Sequence, residues 1–291
     1  MRRAALGVAL ALFAGSCGAG GGITPVRTAF NKGVYHQSRG DLDAAIAEYR
    51  AALEEDPEDY RARFNLATAL EAKADRPAPP GDASALRAEA KSHYETILAA
   101  RPGDLRSSVN LAAAAYRDGD RGGAKRLLAE AIERHPKAPL PRTALAAHLL
   151  EEGDAAGARE VLEGALALDP SDVAANMMTG EAAAALGDVP AARAAFERAL
   201  ERDPDDLATL LALARLEAEA GRTAAASATV ERALFVDPES RAGHALAADL
   251  AEKAGDLEAA LLHLWRARDL GVPVAPERLR GLYLRLSGDD D

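Results

Sequence analysis

The sequence has few of the residues that would support a disulfide-stabilised or aromatic-rich globular domain. It contains one cysteine, Cys17, in 291 residues, so no disulfide can form within the chain. Aromatic residues make up 4% of the chain, although hydrophobic residues make up 48%. The apolar content is therefore mainly alanine, leucine and valine, and the first two are among the best helix formers. This composition favours closely packed helices over a β-sheet or one large globular core.

The chain is also poor in positive charge. Its formal net charge at pH 7 is -11. Removal of residues 1–16 would take Arg2 and Arg3 away and leave 33 basic against 46 acidic residues, a net charge of -13. Because an acidic surface repels phosphate groups, we expect no nucleic-acid partner and no electrostatic help in binding anionic lipid.

Motifs for catalysis, cofactor binding and metal binding are absent from the sequence. It has no Gly-x-Ser-x-Gly elbow, no Walker loop and no His-Glu-x-x-His. No two of its six histidines share a metal-ligand spacing, and the single cysteine has another expected role. The sequence therefore predicts a protein that is not an enzyme and has neither a cofactor nor a metal site.

The N-terminal segment is typical of a secretory signal. Met1-Arg2-Arg3 precedes 13 mostly apolar residues, Ala4 to Ser16, fewer than the roughly 20 that span a bilayer. Ala14-Gly15-Ser16-Cys17 resembles the lipobox of bacterial lipoproteins, although Ala14 stands where that family most often has leucine. The resemblance implies a signal peptide at 1–16, then a lipidated Cys17 and a glycine-rich flexible tether at 17–25. The alternative is an ordinary secretory signal that contains a cysteine.

The rest of the chain repeats with a period of 34 residues. Proline, glycine and alanine each recur at this interval, as Pro102, Pro136, Pro170, Pro204 and Pro238; Gly119, Gly153, Gly187, Gly221 and Gly255; and Ala90, Ala124, Ala158, Ala192, Ala226 and Ala260. Three series with one period indicate a repeat protein. Gly40, Ala45 and Pro57 extend the series upstream across 11 extra residues near 75–85. We expect this insertion to lie between the two helices of one repeat.

Each recurring residue has a local role in a helical hairpin. Glycine can adopt the left-handed conformation that ends a first helix. The aspartate after it, as in Gly187-Asp188, can cap the second helix. The alanines allow two helices to approach closely, and each proline follows a second helix, where its missing N–H does little harm.

The period and these positions resemble the tetratricopeptide repeat. The family's Ala-x-x-x-aromatic element is present as Ala45/Tyr49, Ala90/Tyr94 and Ala192/Phe196, whereas its early tryptophan is absent. The resemblance implies an all-α, right-handed superhelical solenoid of about seven helix-turn-helix hairpins, at 26–59, 60–104, 105–138, 139–172, 173–206, 207–240 and 241–274. Residues 275–291 are expected to supply a capping helix and an acidic tail.

In this family the first helix of each hairpin lines a concave groove. The first three such helices share a pattern of arginine, apolar residue and asparagine: Arg27, Phe30 and Asn31; Arg61, Phe64 and Asn65; Arg106, Val109 and Asn110. Asparagine can both donate to and accept from an extended peptide, and arginine can pair with its carboxylates. We expect these nine residues to form a peptide-binding groove; the alternative is that they merely face solvent. Later hairpins carry apolar residues there, such as Met177, Met178 and Leu211, which suit a partner's helix.

These features together predict a membrane-anchored adaptor that binds other proteins and assembles or localises a cell-envelope complex. Gly18 is not the aspartate that often retains lipoproteins at the inner membrane, so we expect an outer-membrane anchor facing the periplasm. One alternative is a regulatory or recruiting subunit of an envelope polysaccharide or secretion enzyme. Another is a periplasmic chaperone without a lipid.

Overall fold

A computed structural model of the protein describes residues 28–76 and 82–287. Within these residues all regular structure is helical. The fifteen helices are α1 (Ala29–Ser38), α2 (Leu42–Glu55), α3 (Tyr60–Ala74), α4 (Asp82–Ala100), α5 (Leu105–Arg117), α6 (Arg121–Arg134), α7 (Leu140–Glu151), α8 (Ala155–Leu166), α9 (Val173–Ala185), α10 (Val189–Arg202), α11 (Leu207–Glu219), α12 (Thr223–Val236), α13 (Arg241–Ala254), α14 (Leu257–Asp269) and α15 (Pro276–Ser287). The predicted all-α repeat fold is confirmed.

The described residues form two compact units, which divide between residues 145 and 146. In the N-terminal unit the hairpins are α1–α2, α3–α4 and α5–α6. In the C-terminal unit α8 packs against α9, the hairpins α9–α10, α11–α12 and α13–α14 follow, and α15 packs against α14. Each second helix also packs against the first helix that follows it within the same unit, as α2 does against α3 and α12 against α13. Both units are therefore built by stacking one kind of hairpin.

The turns within the hairpins have the predicted geometry. The glycine that ends the first helix has a positive φ, between +73° and +88°, at Gly40, Gly119, Gly153, Gly187, Gly221 and Gly255. A side-chain oxygen of the next residue then accepts a hydrogen bond from the backbone N–H three residues on, at Asp41, Asp120, Asp154, Asp188 and Asp256. Each such cap contributes about 1 kcal/mol to the helix that it begins. Local chemistry thus sets the start of these second helices.

One turn departs from this pattern. Arg222 precedes α12 and makes no side-chain hydrogen bond to the start of that helix. Its Nε donates instead to the carboxylate of Glu217, in α11. Arg193, in α10, donates to the same carboxylate from 2.9 Å, and the Glu217 side chain is only 5% exposed. Two guanidinium groups therefore compensate one buried carboxylate, which would be costly to leave unpaired.

The helices of each hairpin meet at the periodic alanines. All seven are completely buried: Ala45, Ala90, Ala124, Ala158, Ala192, Ala226 and Ala260. The residue four positions on is also buried in every case, and it is aromatic at Tyr49, Tyr94 and Phe196. Across from two of these rings the first helix carries glycine. A Cβ on Gly33 would lie 2.6 Å from the Tyr49 ring, and one on Gly180 would lie 2.4 Å from the Phe196 ring.

The two irregular parts of the array are the insertion and the end. Helix α4 has 19 residues, whereas α2, α6 and α10 have 14, so part of the inserted sequence lengthens a helix. Helix α15 buries Leu279 and Leu282 against α14 but leaves Tyr283 and Leu286 exposed. Among the helices of residues 28–76 and 82–287, none has the length and apolar character needed to cross a bilayer.

Replacement of Ala192 by leucine tests the assigned register. Ala192 is fully buried in α10, so the larger side chain should overpack the hairpin and lower the free energy of unfolding by roughly 1–3 kcal/mol. Ala194→Leu, at an exposed position of the same helix, is the matched control and should change it by less than about 0.5 kcal/mol. Chemical denaturation followed by circular dichroism measures both. Equal stability of the two variants would contradict the register.

Candidate protein-binding face

Within each unit, some first helices of successive hairpins contact each other more closely than the second helices do. Helix α1 contacts α3 in the N-terminal unit, and α11 contacts both α9 and α13 in the C-terminal unit. No two second helices in the described ranges are in comparably close contact. The first helices therefore lie on the inner side of the stack within each unit. The exposed side of α1, α3 and α5 is called here the N-terminal first-helix face.

Eight of the nine predicted groove residues belong to the described part of the chain. Arg27 lies outside it, as do Cys17, the signal segment 1–16 and the tether. Asn31, Arg61 and Arg106 are exposed, whereas Asn65 and Asn110 are half-buried. These residues occupy equivalent positions in the repeat on three first helices, but they differ in exposure.

The apolar members of the pattern do not all reach the surface. Phe30 and Phe64 are half-buried and pack against Tyr49 and Tyr94, with ring centroids 6.1 and 5.9 Å apart. The guanidinium carbon of Arg61 lies 5.3 Å from the centre of the Phe30 ring, which holds this cation against the face.

The prediction that Val109 lines the groove is wrong. Its side chain is 1% exposed and belongs to a core cluster with Ala124 and Leu128. The phenylalanine rings are long enough to extend past the edge of the core, whereas the short branched side chain of valine is covered. Val109 therefore supports the face from below and is not available to a partner.

Asn65 and Asn110 are each held by a buried tyrosine of the preceding second helix. Asn65 Nδ2 donates to the Tyr49 hydroxyl at 3.4 Å, and that hydroxyl donates to Gln37 Oε1 at 2.6 Å. Asn110 Nδ2 donates to the Tyr94 hydroxyl at 3.0 Å, and that hydroxyl donates to Glu71 Oε2 at 2.9 Å.

Each chain of asparagine, tyrosine and acceptor is called here a tyrosine relay. The acceptors of the two relays occupy equivalent positions in the repeat. Gln37 and Glu71 are 34 residues apart, and each lies near the end of its first helix. Glu71 also forms an ion pair with Arg117 of α5. The same arrangement of asparagine, tyrosine and acceptor therefore occurs twice, once for each pair of adjacent hairpins.

The tyrosines of these relays remain protonated over a wide pH range. Burial raises the pKa of Tyr49 to about 12. Burial, together with the neighbouring Glu71 carboxylate, also raises the pKa of Tyr94 far above its usual range. Both hydroxyls therefore keep the proton that they donate to Gln37 and Glu71, and each accepts from an asparagine. This fixes the direction of both relays and the orientation of both amides.

The tyrosine relay has a sequence signal that position-by-position reasoning misses. The tyrosine and the asparagine are 16 residues apart in both cases. In the next four hairpins the second-helix residue is apolar, and the residue 16 positions on is apolar too: Leu128/Ala144, Leu162/Met178, Phe196/Ala212 and Val230/Leu246. Leu264 is the exception, because Arg280 of the capping helix stands 16 positions after it. A search for pairs at this spacing would have separated held asparagines from exposed ones such as Asn31.

The first helices of the C-terminal unit present a different surface. Met177 and Leu211 are half-buried and Ala208 is exposed, but Met178 is buried in the core. Glu181 is half-buried on the same side of α9 as Met177, and burial raises the pKa of its carboxyl against the opposing effect of Arg215. The first helices of this unit therefore offer a mainly apolar face that carries isolated charged side chains such as Glu181.

Sequence comparison supports the repeat assignment directly. A family model described as tetratricopeptide repeat matches residues 30–78, 109–172 and 143–206, and a second model of the same description matches residues 183–250. Neither describes a catalytic family. Among curated proteins, none matches the chain.

Solved structures of similar fold agree with the family models. A tetratricopeptide repeat protein from Parabacteroides merdae superposes with a TM-score of 0.62 at 17% identity, over 87% of this chain and 95% of its own. PilW, a type IV pilus biogenesis factor, gives a TM-score of 0.64 at 18% identity, over 78% and 99%. Human IFIT1 gives 0.67 at 19% identity, over 90% and 63%. At these identities the likeness is one of fold.

Tyr94→Phe tests whether the hydroxyl holds Asn110 and Glu71. The variant keeps the buried ring but removes one acceptor and one donor, so the free energy of unfolding should fall by on the order of 1–3 kcal/mol. Tyr283→Phe, at a side chain that is 65% exposed, should change it by less than about 0.5 kcal/mol. Urea denaturation at pH 7 measures both. A Tyr94→Phe protein as stable as the control would rule out the relay.

Proposed function

Because the chain belongs to the tetratricopeptide repeat family, which consists mainly of binding scaffolds, we propose that it is a lipid-anchored, non-catalytic adaptor. In this proposal the N-terminal first-helix face binds an extended segment of a partner protein. The anchor at Cys17 holds the complex at a membrane of the bacterial cell envelope, the outer membrane in a cell that has two. The adaptor thereby assembles or localises an envelope complex.

The observation that carries the binding proposal is the pair of oriented amides. Asn65 and Asn110 each use one N–H to reach a tyrosine, and no group in the described part of the chain donates to Oδ1 of either side chain. Each amide keeps an acceptor oxygen and a second N–H, the complement that one peptide unit of an extended strand requires. Because the tyrosines already orient these amides, binding would cost less side-chain entropy than with free side chains.

The arginines on the same face favour an acidic segment. Arg61 and Arg106 are exposed on the first helices that carry the oriented amides. The whole chain has a net charge of -11, which opposes acidic partners at long range. At physiological ionic strength, however, exposed charges are screened beyond about 8 Å, so two arginines beside the bound segment act more strongly than distant carboxylates. Arginine can also form paired hydrogen bonds with a carboxylate.

The anchor rests on the sequence alone. Cys17 is the only cysteine, and it follows a basic start, a short apolar stretch and three small residues. One acyl chain holds a protein to a membrane only marginally, whereas two or three hold it firmly, since each buried CH₂ contributes about 0.8 kcal/mol. The lipidation that a lipobox implies supplies several chains and is therefore sufficient for stable attachment.

Two alternative roles use the same scaffold. A regulatory or recruiting subunit of an envelope polysaccharide or secretion enzyme would differ in the partner that it captures. An unlipidated periplasmic chaperone would differ in having no lipid. PilW is described as a type IV pilus biogenesis factor, so pilus assembly is one complex in which to look for the partner.

Metabolic labelling tests the anchor. Palmitate supplied to cells should label the wild-type protein and should not label Cys17→Ala, which lacks the thiol that takes the lipid. Mass spectrometry of the mature wild-type protein should place Cys17 at its N-terminus. Gly21→Ser, which lies in the glycine-rich tether and keeps the lipobox, is a control for expression and export. Label on Cys17→Ala, or a mature N-terminus elsewhere, would refute lipidation at Cys17. A wild-type protein that takes no label would leave the unlipidated chaperone as the better role.

Replacement of Asn65 and Asn110 by alanine tests the binding face. A partner identified by crosslinking in intact envelopes should bind Asn65→Ala/Asn110→Ala more weakly, by on the order of 1–3 kcal/mol for each lost hydrogen bond. Raising the salt concentration should weaken binding to the wild type as well, through Arg61 and Arg106. The affinity is measured with purified proteins by titration calorimetry.

Two controls make this result specific. Glu95→Ala/Glu133→Ala alters exposed positions of the second helices α4 and α6 and should leave affinity unchanged. Tyr49→Phe/Tyr94→Phe keeps both asparagines but removes the hydroxyls that hold them, so it should weaken binding by less than the asparagine variant. A partner that binds the asparagine variant as tightly as the wild type would remove this face from the proposal. The apolar face around Met177 and Leu211 would then be the surface to test.

A further inference from the structure

The last hairpin brings together two histidines that are 19 residues apart in the sequence. His244 lies in the first turn of α13, at the position of the family's early tryptophan, and His263 lies in the middle of α14. Their Nδ1 atoms are 3.0 Å apart, and their ring centroids are 5.3 Å apart with the planes tilted by 37°. Both side chains are half-buried, so they are reachable from solvent.

The backbone fixes the tautomer of one ring. His244 Nε2 lies 3.1 Å from the carbonyl oxygen of Pro238. A carbonyl can only accept, so Nε2 carries the hydrogen and Nδ1 of His244 has a free electron pair. The contact between the two Nδ1 atoms is then a hydrogen bond donated by His263. A histidine whose second nitrogen donates to a backbone carbonyl has the support that metal-binding histidines usually have.

Carboxylates lie near the histidine pair. Glu231 of α12 and Asp256, which caps α14, are close enough to His263 to interact with it electrostatically. Negative charge beside two ring nitrogens attracts a cation, and a metal ion binds imidazole in its neutral form.

We propose that His244 and His263 form a two-nitrogen binding site for a divalent transition-metal ion of the Cu²⁺ or Ni²⁺ type. With metal–nitrogen distances near 2.0 to 2.1 Å, two nitrogens 3.0 Å apart would subtend an angle of about 95° at the ion. This is close to the right angle between neighbouring ligands in the tetragonal geometry that Cu²⁺ and Ni²⁺ adopt with nitrogen and oxygen ligands. It is narrower than the tetrahedral angle that Zn²⁺ prefers.

Binding requires one proton to change place. The hydrogen that His263 Nδ1 donates to His244 moves to Nε2 of the same ring, so His263 stays neutral and both Nδ1 electron pairs can face the ion. The described residues contain no group of three or more histidine, cysteine, aspartate or glutamate side chains able to hold an ion. The other coordination positions are therefore filled by water, or by a side chain of another molecule. The ion would link α13 to α14 at the end of the array.

Metal titration of the full-length protein tests this site independently of any partner. Cu²⁺ and Ni²⁺ are titrated at pH 7.5 by calorimetry, and Cu²⁺ is also followed by electron paramagnetic resonance. Wild type should bind one ion through this pair, with coupling of the copper signal to two nitrogens. A saturating ion should also raise the melting temperature. His263→Gln should reduce the affinity at least tenfold and remove the two-nitrogen coupling.

Two further variants keep the result interpretable. His244→Gln should give the same loss as His263→Gln, and circular dichroism shows whether each variant is folded. His135→Gln alters a histidine that contacts the Gly103 carbonyl in the other unit, so it should bind the ion as wild type does. Unchanged affinity and an unchanged copper spectrum in His263→Gln would overturn the proposal, and so would wild type that binds neither ion. The pair would then be a structural hydrogen bond only.

Discussion

The close approach of two helices at a fully buried alanine is the contact on which the other features depend. A larger residue at Ala45 or Ala90 would separate the helices of its hairpin. Only at the short separation does the side chain four residues on, Tyr49 or Tyr94, cross the interface and reach the next first helix with its hydroxyl. The polar face of the N-terminal unit is thus a consequence of packing beneath it.

The residue four positions after each buried alanine therefore determines whether the neighbouring surface is polar or apolar. A tyrosine there supports an asparagine on the next first helix, whereas a leucine, valine or phenylalanine that precedes another hairpin is accompanied by an apolar residue on the first helix of that hairpin. This is physically reasonable, because an amide that reached into an apolar interface without a partner would lose hydrogen bonds to water and gain none. The two units consequently offer a polar and an apolar face on the same scaffold, suited to different kinds of bound segment.

The sequence was sufficient for those features that depend on a few neighbouring residues. The turn at Gly187-Asp188 and the buried Ala192 follow from local chemistry and a fixed period, so both could be predicted. Val109 was assigned to the surface because equivalence in the repeat does not reveal how far a side chain extends. The meeting of His244 with His263 depends on two rotamers across a helix interface, which neither spacing nor composition determines. The sequence therefore proposed a candidate face, and the structure shows which of its residues are exposed and which are buried.

The ion pairs of Glu217 bear on how freely hairpins can be exchanged. At Asp41, Asp120, Asp154, Asp188 and Asp256 the capping carboxylate and the backbone N–H that donates to it lie within one hairpin, so those turns would stay intact in a recombined gene. The turn before α12 is different, because Glu217 is neutralised both by Arg222 of its own hairpin and by Arg193 of the preceding one. Residues 173–206 and 207–240 are thereby tied as a pair. Replacement of residues 173–206 alone would leave the buried Glu217 carboxylate with one guanidinium partner instead of two.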